Sequence, residues 1–239
     1  MGSHFLDVYE ENSGELIDEY FDYFKNKQFT NNQLLDMCTH YQIKALACWL
    51  RKCDINKTTD TLRKCSATYL WGLTRISDEV RLSMIDPFYV SLASNDKENT
   101  EKILNILLTI DWRNRVEYRE DYLEQKALLL CYKNDPDLLK SILDEYDIVS
   151  ECKTSALIEI VKALSTGNQD TFDVSIERYL LEYHNYMNMM YDKGHISDEI
   201  HYTLGKICIK GAALLKLAKR YGLMVETEYH MIPSQLSLM

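Results

Sequence analysis

Only 3 prolines and 8 glycines punctuate the 239 residues of this chain. Proline blocks the helical hydrogen-bond ladder and glycine loosens the backbone. Their scarcity therefore favours long helices with short connections, whereas a turn-rich β fold needs more of both. Apolar spacing agrees with this. Phe5, Leu6, Tyr9, Leu16, Ile17, Tyr20, Phe21 and Phe24 recur at three- and four-residue steps, with a break expected near Ser13-Gly14. Thr30, Asn31 and Asn32 are capping types ahead of a second helix. A third is predicted to begin between Thr58 and Asp60 and run to about Ile76, and Ser77, Asp78 and Glu79 read as the next start. Pro87 interrupts or restarts that segment.

The middle of the chain is more regular. Helices are predicted over 98–110 and 116–132, the latter on the stripe Leu123, Ala127, Leu130 and Cys131. Asp135-Pro136 places a cap and a first-turn proline before Leu138, Leu139, Ile142 and Leu143. Ser150 or Thr154 opens the next helix, and Thr166-Gly167-Asn168 ends it. Asn168 to Tyr191 and Leu204 to Tyr221 complete the set, Gly222 closing the last. The fold class is all-α: one domain over 1–239, about nine or ten mostly antiparallel helices, since short loops leave no other course. No residue pattern recurs at a fixed period, which argues against a repeat array. Met1 to His4 reads partly as a cloning remnant.

After Gly222 the pattern changes. Val225, Thr227, Tyr229 and Met231 alternate with Glu226, Glu228 and His230, a period of two that suits extended backbone. Residues 224–239 are therefore expected to form an extended tail.

Hydrophobic residues make up 46% of the chain, which places it among ordinary globular proteins. No apolar run approaches the roughly 20 residues needed to cross a bilayer. No leader is legible, and the seven cysteines are odd in number without a CxxC pair. A reduced, cytoplasmic protein with buried thiols is the expectation. The net charge is −10. Acids concentrate in residues 1–30 and 83–205, while 31–82 and 206–239 are net basic. Such a surface repels nucleic acid and membrane phosphates and attracts basic proteins, although solubility alone explains acidity as simply.

Catalytic and metal motifs are missing. No GxSxG, phosphate-binding glycine loop or HExxH occurs. His184, His195 and His201 stand 11 and 6 residues apart, which matches no zinc spacing. No catalytic residue, cofactor or metal is expected. "DWRNRVEYRED" (111–121) reads as a loop whose Trp112 packs inward while its arginines pair with acids. "RYLLEYHNYMNMMYDKGH" (178–195) carries more Tyr and Met than one core-facing stripe needs, and the surplus suits an adaptable protein contact. "GKICIKGAALLKLAKRYG" (205–222) is amphipathic, with Gly211 and Ala212 permitting close packing and Lys216, Lys219 and Arg220 favouring the helix dipole.

The last 60 residues join these pieces in a particular order. "LLEYHNYM" is followed by a loop, then "GAALLKLAKRYG", then "MVETEYH", then "IPSQL". This order resembles the C-terminal signature of the immunity protein 49 family of bacterial polymorphic toxin systems. Related all-helical immunity proteins share the plan. Lys206, Lys210 and Lys216 depart from the more apolar helix of that pattern. The resemblance implies a cytoplasmic, non-enzymatic protein that blocks one cognate toxin domain in a 1:1 complex. That toxin is expected to be a nuclease or other basic protein, and the chain itself a monomer or weak homodimer that binds neither nucleic acid nor membrane. The resemblance also implies that Val225, Tyr229 and Met231 lie along the helical body while Glu226, Glu228 and His230 point outward. Acid and aromatic density selects Tyr183, His184, Tyr191, Glu226, Glu228, His230, Glu117, Glu120 and Glu124 as candidate partner-binding residues. The alternative is a non-enzymatic helical-hairpin scaffold or adaptor that binds a peptide in a groove.

Overall fold

A computed structural model describes residues 4–25, 27–52, 54–76, 79–113, 116–151, 153–225 and 228–234. Among them are eleven α-helices and no strand, in one all-α domain. The first three are α1 (His4–Phe24), α2 (Asn31–Lys52) and α3 (Ile55–Leu73), each packed along the next. Helix α1 buries Tyr9, Ser13, Ile17 and Phe24, a stripe at steps of four and seven residues. It runs unbroken through Ser13-Gly14, where a break was expected. Ser13 is fully buried there, and the Lys44 side chain of α2 lies over Gly14, where a Cβ would sit 2.9 Å from Lys44 Nζ. Thr30 and Gln33 form a capping box at the start of α2. Helix α3 starts earlier than expected, because the Asp54 carboxylate takes the Lys57 N–H at 3.0 Å. Glu10 ties all three together. It accepts from Arg51 at 2.6 Å and from Lys57 at 2.5 Å and is itself buried.

Residues 79–81 are not helical, and 77 and 78 lie outside the described residues. A 3-10 turn, Leu82–Met84, leads into α4 (Asp86–Ala93), so Pro87 opens a helix rather than interrupting one. Then follow α5 (Lys97–Leu108), α6 (Arg119–Lys133), α7 (Pro136–Val149), α8 (Ala156–Thr166) and α9 (Gln169–Asp192). Side chains of Asp96, Asp135, Ser155 and Asn168 cap α5, α7, α8 and α9. Asn134 and Gly167, at φ of 61° and 66°, supply left-handed ends for α6 and α8. Helices α6 and α7 pair, α8 and α9 pair, and α6 lies on α8. The single turn α10 (Asp198–Tyr202) precedes α11 (Ile209–Arg220). The last helix thus begins at Ile209 and not at Leu204. At Gly205 the chain comes so close to its own preceding turn that a Cβ would meet the His201 carbonyl oxygen at 2.3 Å.

Helix α11 is the central rod. Ile209, Gly211, Ala212, Ala213, Leu214, Leu215, Leu217 and Ala218 are all buried, mainly against α4 and with α9 alongside. Each large apolar side chain so covered stabilises the fold by about 1.5–3 kcal/mol. Of the three lysines that depart from an apolar helix, Lys206 lies ahead of α11 and is exposed, and the other two have specific partners. Lys210 pairs with Asp86 at 2.5 Å, and Lys216 donates to the Ala93 carbonyl at 2.6 Å.

The tail packs without a sheet. Gln169 supplies the pairing a neighbouring strand would give: its amide donates to Met224 O at 3.0 Å and accepts from Met224 N at 2.8 Å. Further on, Cys208 N donates to Met231 O at 2.9 Å. Val225 and Tyr229 lie against the core, Met231 and Ile232 are buried, and Glu228 and His230 are exposed. The alternation does not run on as one extended segment. Met231 has φ of 64°, and Tyr229 bridges Ile232 across a tight turn. Glu226 and Thr227 lie outside the described residues. Cys38, Cys48, Cys65, Cys131 and Cys208 are free and buried. Among the described residues no helix is long and apolar enough to cross a membrane.

Candidate partner-binding face

Helix α9 has two unlike sides. Phe172, Ser175, Ile176, Leu180 and Met187 face the core. Val174 and Leu181, seven residues apart, emerge on the opposite side with Met189 one further double turn along. Val174 is 68% exposed, Leu181 57%, Tyr186 52% and Met189 42%. Asp170, Glu177, Glu182 and Asp192 are exposed along the same helix. Its single arginine, Arg178, is engaged by Glu159 at 3.0 Å and Glu182 at 3.3 Å. Val174, Leu181 and Met189 thus stand outward among Asp170, Glu177 and Asp192 on a helix anchored from behind, while Tyr186 lies more than a quarter turn round from Val174 and Leu181. Exposed apolar side chains scattered singly mean little, but three on the outward side of one helix form a candidate contact.

Of Tyr183, His184, Tyr191, Glu228 and His230, the structure brings His184 and His230 together, and the others lie along α9 and the tail. Their orientations differ. The Tyr183 hydroxyl donates to Leu204 O at 3.1 Å, and burial holds its pKa well above the usual phenol value. The Tyr191 hydroxyl donates to Asp198 at 3.0 Å, and its ring stacks on His201 at 4.0 Å. Both therefore act mainly in packing the loop after α9. His184 meets Asn188 at 3.0 Å, and its ring lies 5.3 Å from that of His230. That contact joins the edge of α9 to the tail. Glu228 and His230 are open to solvent beside it.

The acids near α6 serve other ends. Glu117 accepts the Leu82 and Ser83 N–H groups at 3.3 and 2.7 Å, closing the start of the 3-10 turn. Glu120 is partly buried in the first turn of α6, where negative charge suits the helix dipole. Glu124 accepts from the Tyr146 hydroxyl at 3.1 Å. Burial raises its pKa, with Asp121 and Glu182 adding to the effect and hydrogen bonds from Ser155 and Tyr146 opposing it. A raised carboxyl binds its proton more tightly folded than unfolded. Its charge therefore costs stability as pH climbs through the folded pKa, and that cost disappears at lower pH. Glu124→Gln is accordingly expected to raise the urea midpoint at pH 7 relative to the parent, with the difference closing near pH 4. A lower midpoint at pH 7 would show that the hydrogen bonds outweigh the burial.

Within 111–121, residues 119–121 open α6 rather than belonging to a loop, Arg115 lies outside the described residues, and the rest packs as its composition indicates. The Trp112 indole N–H donates to Glu117 O at 3.2 Å, Arg119 lies over that ring at 4.7 Å, and Arg113 and Arg119 pair with Glu79 and Glu145. Among the described residues no three His, Cys, Asp or Glu side chains converge as a metal site. Val174 and Leu181 were not singled out from sequence, where Tyr and Met density drew the choice. Once Phe172, Ile176 and Leu180 are given to the core, helical geometry places both on the outside. No family model, curated protein or solved structure matches this chain.

Proposed function

We propose that this protein is an immunity protein that binds a basic toxin domain and neutralises it by covering its active or substrate-binding surface. The observation that carries the proposal is the outward side of α9, where Val174, Leu181 and Met189 stand exposed among acids. Apolar anchors ringed by charge are the usual anatomy of a protein interface. The net charge of −10 steers a cationic partner towards such a face and competes with the phosphates a nuclease would hold. The order of segments from Leu180 to Leu236 supports the same class through its resemblance to the immunity protein 49 family. In this role the chain binds and does no chemistry.

The test is co-expression with the product of the gene directly upstream. The expected result is cell survival and a 1:1 complex that co-purifies at low salt, its formation slowing as salt rises. Cell death despite full expression, or a toxin that elutes separately, would refute the proposal.

A further inference from the structure

A cavity of about 480 Å³ opens where α4 and α11 end and α5 begins. That volume falls in the range of small-molecule sites. In an acidic protein its charged lining is unexpectedly cationic: Lys97, Lys216 and Arg220 against Asp96 and Glu101. Both carboxylates keep their charge but accept hydrogen bonds from neutral neighbours. Asp96 accepts from Asn99 N and Asn99 Nδ2 at 3.3 and 2.8 Å, and Glu101 accepts from the Tyr132 hydroxyl at 3.1 Å. Among the described residues none of the three cations forms an ion pair. Arg220 lies over the Tyr132 ring at 4.4 Å, and Lys216 gives one N–H to Ala93 O.

Helix termini account for part of this charge. The C-terminal ends of α4 and α11 each present about half a negative charge, and the N-terminal end of α5 returns half a positive one. With Asp96 and Glu101 counted as well, about half a positive charge is left over. Burial, with Lys219 and Arg63 nearby, pushes the Lys216 pKa down to about 8. Lys216 and Arg220 also stand four residues apart on one helix, close enough to grip a single small group.

We propose that this cavity binds a phosphate group, free or carried by a small phosphorylated metabolite, between Lys216 and Arg220 with Lys97 at the rim. The ammonium has N–H groups left over after Ala93, and the guanidinium fork matches phosphate oxygens. A bound dianion favours charged Lys216, so binding takes up a proton and weakens as pH rises through about 8. The charged groups that face Lys216 are Arg63 from α3, Asp96, Lys97 and Glu101 from α5, and Lys219 and Arg220 from α11, with the Tyr132 hydroxyl from α6. This site is independent of the α9 face, so it stands or falls without the toxin.

The experiment is NMR of the full chain labelled with 13C-lysine, titrated with inorganic phosphate or glucose 6-phosphate at constant ionic strength. Saturable binding with Kd below ~1 mM is expected, with the Lys216 Cε titration midpoint moving upward. Tenfold tighter binding of glucose 6-phosphate would point to a metabolite, and equal affinity to phosphate itself. Lys216→Met and Arg220→Gln are each expected to weaken binding at least tenfold. Lys216→Arg keeps the charge and is expected to bind while losing the pH dependence near 8, which separates recognition from folding. No saturable shift at ~10 mM phosphate, or unchanged affinity in the folded Lys216→Met and Arg220→Gln variants, would overturn the proposal.

Discussion

Leu181→Lys is expected to weaken the proposed complex with a toxin domain by roughly 30- to 1,000-fold, or about 2–4 kcal/mol, while leaving the fold intact. Two effects combine. An ammonium is placed where an apolar side chain would be covered, and desolvating a charge without a partner is costly. The same ammonium lies one turn from Glu177 and next to Glu182, so it cancels part of the field that draws a cationic partner. The Leu181 side chain is more than half exposed, so unfolding free energy should move by no more than about 0.5 kcal/mol. Isothermal titration of the purified pair, with urea unfolding of the variant alone, reads both quantities. Unchanged affinity would remove this face from the interface.

Phe172→Ala, on the other side of the same helix, should do the reverse. Phe172 is completely buried, one turn into α9. Deleting its ring removes apolar burial and leaves a cavity that close-packed neighbours cannot fill, for a loss of about 3–5 kcal/mol. A domain of this kind is stable by about 5–15 kcal/mol, so the loss is a large fraction of the whole. The urea midpoint should fall sharply. At temperatures where the variant remains folded, its affinity for the toxin should stay near that of the parent, because the outward stripe is unchanged. A loss below ~1 kcal/mol would mean that α9 is not anchored as described. The two variants together separate the side that holds the helix from the side that meets a partner.

Much of the fold was legible because it is written in local chemistry. Asp135-Pro136, Asn168 and Thr166-Gly167 mark helix ends by capping and by left-handed backbone, both set within a few residues. The misplacements have long-range causes. Ser13-Gly14 reads locally as a breaker, yet it is the small pair over which Lys44 passes. Leu204 to Lys206 has the composition of a helix start, but the close approach at Gly205 and the Cys208 cap, with Sγ accepting Gly211 N at 3.2 Å, delay it to Ile209. The turn at Met231 carries no glycine to announce it.

The candidate face was legible only in part. The resemblance implied that Val225, Tyr229 and Met231 turn inward, as they do, and the alternation of the tail carried only its period. It could not report that Tyr183 and Glu117 have their polar atoms taken by Leu204 and by the 82–83 backbone, since those partners are distant in sequence. Choosing residues by aromatic and acid density finds the helix of the proposed face and several of its inward members. Choosing by helical phase finds Val174 and Leu181. Lys216 and Arg220 likewise read as dipole cations until α5 and α6 close a cavity around them.

Hydrogen exchange on the complex with the upstream gene product tests the central claim most directly. The account predicts that protection gained on binding concentrates in 174–189 and in the adjoining tail, 228–234, with α1 to α3 unchanged. Protection confined to α1–α3, with α9 exchanging as in the free protein, would contradict it.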